Sequence, residues 1–114
     1  MTIDQKDRLR LRHITDAIEH VLDFTGGISE GDFTADYEKQ SAVIRQFEII
    51  GEAASKLTSE LIELHNDVDW PKVVGMRHKM IHDYFNVDTR IVWATIIDDI
   101  PAIRDSVEKI LKRD

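Results

Sequence analysis

Ser41-Ala42-Val43-Ile44-Arg45-Gln46-Phe47-Glu48-Ile49-Ile50-Gly51-Glu52-Ala53-Ala54-Ser55-Lys56-Leu57 is the stretch whose reading decides the fold. Val43, Phe47, Ile50, Ala54 and Leu57 step by four and three residues, which puts them on one face of a helix suited to lie along another helix. Gly51 sits inside this run, where a glycine costs ~1 kcal/mol relative to alanine, and the usual compensation is a close helix crossing. The glycine therefore predicts that another backbone passes against this helix near residue 51.

Toward the N-terminus, Leu11, Ile14, Ile18, Val21 and Leu22 repeat with the spacing of one buried helical face and stop at Thr25-Gly26-Gly27. This predicts a first helix from about Asp4 to Phe24. Residues 26–36 are short, acidic and glycine-containing, and read as a surface loop with Asp32 or Thr34 as N-cap for the seam helix. Toward the C-terminus, Leu57, Leu61 and Leu64 predict a brief third helix capped by Thr58 or Ser59. Asp69-Trp70-Pro71 opens a fourth, because proline is tolerated in a first turn that lacks intrahelical donors anyway. Val73, Val74, Met80 and Ile81 supply its apolar face to about Phe85-Asn86. Asp88 caps a fifth helix with a stripe from Ile91 through Ile96, Ile97, Ile100, Ile103 and Val107 to Ile110 and Leu111, bent or divided at Pro101. Alternation of period two between hairpin signals is absent from the sequence. The expectation is an all-α bundle of four to five helices.

The chain of 114 residues suits one domain spanning 1–114. With 42% hydrophobic and 32% charged residues it has the balance of a globular protein, and five Gly with two Pro leave little linker. The absence of cysteine excludes thiolate metal sites and disulfides. No apolar run approaches a membrane span, and the polar start lacks the apolar core of a signal peptide, so a cytoplasmic protein is expected. A net charge of −7 argues against broad phosphate-binding surface. Between Trp70 and Arg90, however, Lys72, Arg77, Lys79 and Arg90 oppose only Asp83 and Asp88, which leaves room for one focused nucleic-acid contact. Lys72 and Arg90 themselves read as solvated.

The chemistry concentrates in Arg77-His78-Lys79-Met80-Ile81-His82-Asp83-Tyr84. A guanidinium stays charged at any physiological pH and forks onto phosphate oxygens, while histidine moves protons near neutrality. On an ideal helix Arg77 and His82 stand about 140° apart around the axis and about 7.5 Å along it. One copy is then poorly placed to clamp a single phosphate, and a symmetric homodimer would bring two of each to a shared cleft. His78 and His82, four apart, also admit a metal-site reading, but no motif supplies a third ligand. His13, His20 and His65 receive no role.

Arg77-x4-His82-x-Tyr84 resembles the signature of the HepT-like HEPN proteins, toxins of two-gene systems partnered by a small MNT-type nucleotidyltransferase. The segments Ile49-Ile50-Gly51-Glu52-Ala53-Ala54, Asp69-Trp70, Val74-Gly75-Met76-Arg77, Val87-Asp88, Ile91-Val92-Trp93 and Asp99-Ile100-Pro101 follow the order of that family. The resemblance implies a HEPN-type bundle acting as a homodimer, and an endoribonuclease that needs neither metal nor cofactor. It further implies that Arg77 stabilises charge on the scissile phosphate, that His82 is general acid or base, and that Tyr84 is modified with AMP by the antitoxin. His78 and Lys79 would be auxiliary RNA contacts. Two positions depart from the family pattern: His78, where Asn is frequent, and Asp83, where Gly is frequent and a carboxylate here adjoins His82. The alternative reading is a non-catalytic HEPN partner that docks and regulates a nucleotidyltransferase.

Overall fold

In the computed structural model, which describes residues 3–78 and 88–113, all described elements are helical. They are α1 (Gln5–Thr25), α2 (Glu30–Ala35), α3 (Tyr37–Ser55), α4 (Ser59–Leu64), α5 (Trp70–Gly75), α6 (Thr89–Ala94), a π-helical turn (Thr95–Asp99) and α7 (Ile100–Lys112). The long helices α1 and α3 lie along each other, α7 covers α1, and α5 lies against α3. The expected all-α bundle is thus observed, with the seam Val43, Phe47, Ile50, Ala54 and Leu57 buried in one core with Leu11, Ile14, Ile18 and Val21.

Local chemistry sets the boundaries. Asp4 accepts from the Lys6 amide at 2.7 Å to start α1, and Gly27, with φ +79°, turns the chain out of it. The expectation of a loop over 26–36 is corrected. Ser29 and Asp32 form a reciprocal capping box at 3.0 and 3.1 Å that starts α2. Asp36, rather than Asp32 or Thr34, caps α3 through the Lys39 amide. Phe33 explains why this short acidic segment is ordered: it is fully buried and its ring lies 5.5 Å from that of Trp93. Thr58 caps α4, Asp69 caps α5 and Asp88 caps α6, each through its own side chain.

Pro101 divides the last helix one step earlier than a simple kink would. The Ile100 amide bonds back to the Thr95 carbonyl, five residues away, and Pro101 falls in the first turn of α7, where no donor is required of it. The apolar stripe is also corrected. Ile96, Ile100, Ile103, Val107 and Ile110 recur every four or three residues and are buried, whereas Ile91 and Ile97 lie off that row and are exposed. Leu64 is exposed as well, at the end of an α4 only six residues long. Lys72 is not merely solvated: its ammonium lies 2.8 Å from Asp99, which raises the lysine pKa above its ordinary value and ties α5 to the π turn. Arg90 stays largely in solvent, 3.5 Å from Asp88.

Asp7 is the buried acid of α1, at 3% exposure. It accepts from the Thr58 amide at 3.0 Å and from the Thr58 hydroxyl, so α1 orients the residue that caps α4. Replacing it by alanine strands a backbone donor away from water. Asp7→Ala is expected to lower unfolding free energy by about 1–3 kcal/mol, with Asp7→Asn in between, as read from urea denaturation; an unchanged midpoint would contradict this role.

Candidate active site

Arg77 does not lie on an α-helix. The α5 hydrogen-bond ladder ends at Gly75, and the amides of Met76, Arg77 and His78 bond to Val73, Val74 and Gly75, three residues back. The reading of a fourth helix running on through Arg77 is corrected to a tight turn, anchored by the buried side chain of Met76. The remainder of that expected helix, with Lys79, Met80, Ile81, His82 and Tyr84, lies outside the described residues.

The turn rests on α3 at Gly51. A Cβ at this position would stand 2.6 Å from the Arg77 amide nitrogen, 2.7 Å from its Cβ and 2.8 Å from the Val74 carbonyl oxygen. The close crossing expected from the glycine is present, and its partner is the backbone that bears the candidate phosphate-binding residue.

Just beyond Gly51 on α3, the Arg77 guanidinium finds its supports. Its Nη1 donates to Glu52 Oε2 at 3.1 Å and to Ser55 Oγ at 3.3 Å, and its Nε donates to His78 Nε2 at 3.0 Å. Acceptance through Nε2 places the His78 ring proton on Nδ1 in this arrangement. Ser55 in turn donates to the Glu52 carbonyl at 2.7 Å, and the other Glu52 oxygen lies 3.3 Å from the Lys56 ammonium. These partners hold the Glu52 carboxyl below its ordinary pKa, chiefly the hydrogen bond from Lys56 and then that from Arg77. Because the folded-state pKa is depressed, the carboxylate's hold on Arg77 is present above the ordinary carboxylate range and is lost as pH falls through the depressed value. Among the described residues Nη2 has no hydrogen-bond partner, so one edge of a braced guanidinium is left for an incoming anion.

Arg77 borders a groove of about 480 Å³ lined by α1, α3 and the turn: Arg10, His13, Arg45, Glu48, Ile49, Glu52, Ala53, Lys56, Arg77 and His78. Four permanent cations face two carboxylates there, a local reversal of sign on a chain of net charge −7. The structure therefore brings together Arg77 and His78, which were singled out in the sequence. It also adds His13, which was given no role, and Arg10, Arg45, Glu52 and Lys56, which were overlooked. A signal for the α3 members was present: Arg45, Glu48, Glu52 and Lys56 recur at three- and four-residue spacing beside the apolar seam, as one helical face does. Nothing in the spacing of Arg10 and His13 says which neighbour they would meet. Among the described residues no group of three His, Asp or Glu side chains is arranged to hold a metal ion, and the His78/His82 pair reaches beyond those residues.

The family model described as "Ribonuclease HepT-like" matches residues 14–110. The chain is 42% identical over 102 residues to "Probable ribonuclease HepT" of Thermococcus cleftensis, covering 90% of this chain and 93% of that protein. It is 41% identical over 104 residues to "Putative RNase TTE0752" of Caldanaerobacter subterraneus subsp. tengcongensis, at 91% and 93% coverage. No solved structure gives a significant match.

Gly51→Ala tests the architecture of the site. Helix propensity alone would stabilise α3 by up to ~1 kcal/mol, whereas a methyl forced into the Arg77 backbone destabilises by about 1–3 kcal/mol. A net loss on chemical denaturation is expected, and a stabilised variant would show that the turn is not seated on α3.

Proposed function

This chain belongs to the HepT-like ribonuclease family, and from that membership and the braced Arg77 we propose that it is a metal-independent endoribonuclease, the toxin of a HEPN/MNT pair. The observation that carries the reading is the position of Arg77. Its guanidinium is held by Glu52, Ser55 and His78 at the border of a cation-rich groove.

The reaction is a transesterification. The ribose 2′-oxygen attacks the adjacent phosphorus, its proton passes to a base, and the P–O5′ bond breaks as the departing 5′-oxygen takes a proton. The products are a 2′,3′-cyclic phosphate and a 5′-hydroxyl. Arg77 offsets the negative charge that grows on the non-bridging phosphate oxygens, and its fixed partners mean that little reorganisation is needed as this charge develops. His82 is assigned the proton transfer as general acid or base. No metal or cofactor enters the scheme. Lys79 and His78 lie beside Arg77 in sequence; we assign Lys79 an auxiliary RNA contact and His78 the support of Arg77 Nε.

The chain acts in the proposal as a single HEPN domain, in the cytoplasm and as a homodimer, so that two Arg77/His82 sets face a shared cleft. AMPylation of Tyr84 by a cognate MNT-type nucleotidyltransferase silences it. The added phosphate puts negative charge and bulk near the RNA path and repels the substrate, as phosphorylation would.

Purified wild type is expected to cut total cellular RNA in EDTA and to leave cyclic phosphate ends. His82→Ala should lower the rate by about 10²–10⁴-fold and Arg77→Ala by about 10²–10³-fold, with both variants folded. Intact mass first establishes whether Tyr84 carries AMP. An unmodified, folded wild-type dimer that leaves varied RNAs intact would replace the nuclease with the non-catalytic partner of a nucleotidyltransferase.

A further inference from the structure

The groove extends past the reach of Arg77, and its far end is not explained by the chemistry at the scissile phosphate. Arg45 on α3 stands seven residues before Glu52, about 10.5 Å along the helix axis at ~1.5 Å per residue. Arg10 and His13 come from α1, three residues apart and hence on one face of that helix. All three line the same groove as Arg77. The two helices run antiparallel, Asp7 meeting Thr58 and His20 meeting Gln46, so Arg10 stands toward the Arg77 end of the groove and Arg45 toward the other.

We infer that Arg10 and Arg45 mark two further phosphate positions, which hold the backbone of a single-stranded RNA on either side of the groove beyond the phosphate bound by Arg77. The inference rests on the nuclease reading and adds to it a track for the flanking strand.

Three features favour an RNA backbone as the occupant. First, the guanidinium groups can fork onto phosphate oxygens, which present the same planar pair of acceptors as a carboxylate. Second, the ion pair that Arg45 makes is easily exchanged: Arg45 and Glu48 approach to 3.7 Å with the arginine side chain 69% exposed, a surface pair of little net worth. A phosphate can therefore replace Glu48 as the partner of Arg45 at small cost. Third, between Arg45 and Ser55 α3 contributes Ile49 and Ala53 to the groove, a partly apolar floor on which a sugar or base can lie. Glu48 and Glu52 stay on the same wall and penalise strands that stray toward them, which favours a track defined by the arginines over diffuse attraction.

The test is binding, measured apart from cleavage. A short fluorescein-labelled single-stranded RNA is titrated by anisotropy into full-length His82→Ala protein, with and without Arg10→Gln and Arg45→Gln, across a range of salt concentrations. Both substitutions replace half-buried or exposed helical positions with another good helix former, and matched circular dichroism and melting confirm the fold. The double variant is expected to bind at least about tenfold more weakly. The slope of log K against log salt should shrink by about 1.4, at ~0.7 for each phosphate of a single strand that is no longer neutralised. Lys109→Gln with Lys112→Gln, which removes the same charge on α7, is the control and should leave both quantities in place. Equal binding and equal slope in the groove variant would overturn the inference, leaving the groove to an acidic protein partner; so would an equal loss in the α7 control, which would mark general charge rather than a site. The nuclease reading is judged separately by wild-type cleavage. Arginine-dependent binding without any cutting would sink that reading alone, and cutting without arginine-dependent binding would sink this inference alone.

Discussion

The missing side chain at Gly51 is the constraint on which the candidate site depends. The backbone of Arg77 and the carbonyl of Val74 occupy the space where a Cβ would be, so the turn after α5 can lie directly on α3 instead of standing off by the thickness of a side chain. That approach decides what Arg77 can reach. Glu52 and Ser55, which follow on the same helix, fall within hydrogen-bond distance of the guanidinium, while Met76 inserts into the core from the residue before it. The glycine thus forgoes helix propensity in α3 and in return fixes the orientation of a long, flexible cation, which would otherwise lose substantial rotamer freedom on meeting an anion.

A carboxylate beside a candidate phosphate-binding arginine would defeat that role if it faced the arginine alone. Glu52 meets Arg77 through one oxygen and Lys56 through the other, so its charge is shared by two cations and its field toward the groove is weakened. Nη2 is left outside this network among the described residues. The carboxylate therefore acts as a brace, and the excess of cations along the wall keeps the groove attractive to an anion. At the exposure of these groups each ion pair is worth little to folding stability; their effect is on where the guanidinium points.

The elements most legible in the sequence were those whose physics is local and periodic. The seams of α1 and α3 and the caps Asp69 and Asp88 follow from spacing and from side chains that satisfy the nearest backbone amides. Gly51 was legible because a helical glycine with apolar neighbours has few uses besides close approach. The segment 26–36 was misread because its acidity and glycines outweighed a single apolar residue, Phe33, whose value depends on Trp93, far along the chain. The exposure of Ile97 has a simpler cause: the expected stripe ran through both Ile96 and Ile97, although sequence neighbours on a helix stand about 100° apart. Arg77 itself was recognised, yet its surroundings were not. Arg10 and His13 join its groove only when α1 packs on α3, and spacing within either helix carries no mark of the other.

The acidic remainder of the chain then takes on a definite role. A polyanion would be repelled by most of a surface with net charge −7 and drawn to the groove, where permanent cations outnumber carboxylates. Focusing of this kind favours encounters in which a strand already lies along the correct wall, and it disfavours the nonspecific coating that a uniformly basic surface would invite. The same contrast makes the site sensitive to small changes in charge. A single phosphate group attached near the groove would offset a large part of the local excess, whereas the same group elsewhere on the chain would add little to a potential that is already negative. On the proposed reading, in which RNA is drawn to this groove, silencing by one covalent modification is physically economical.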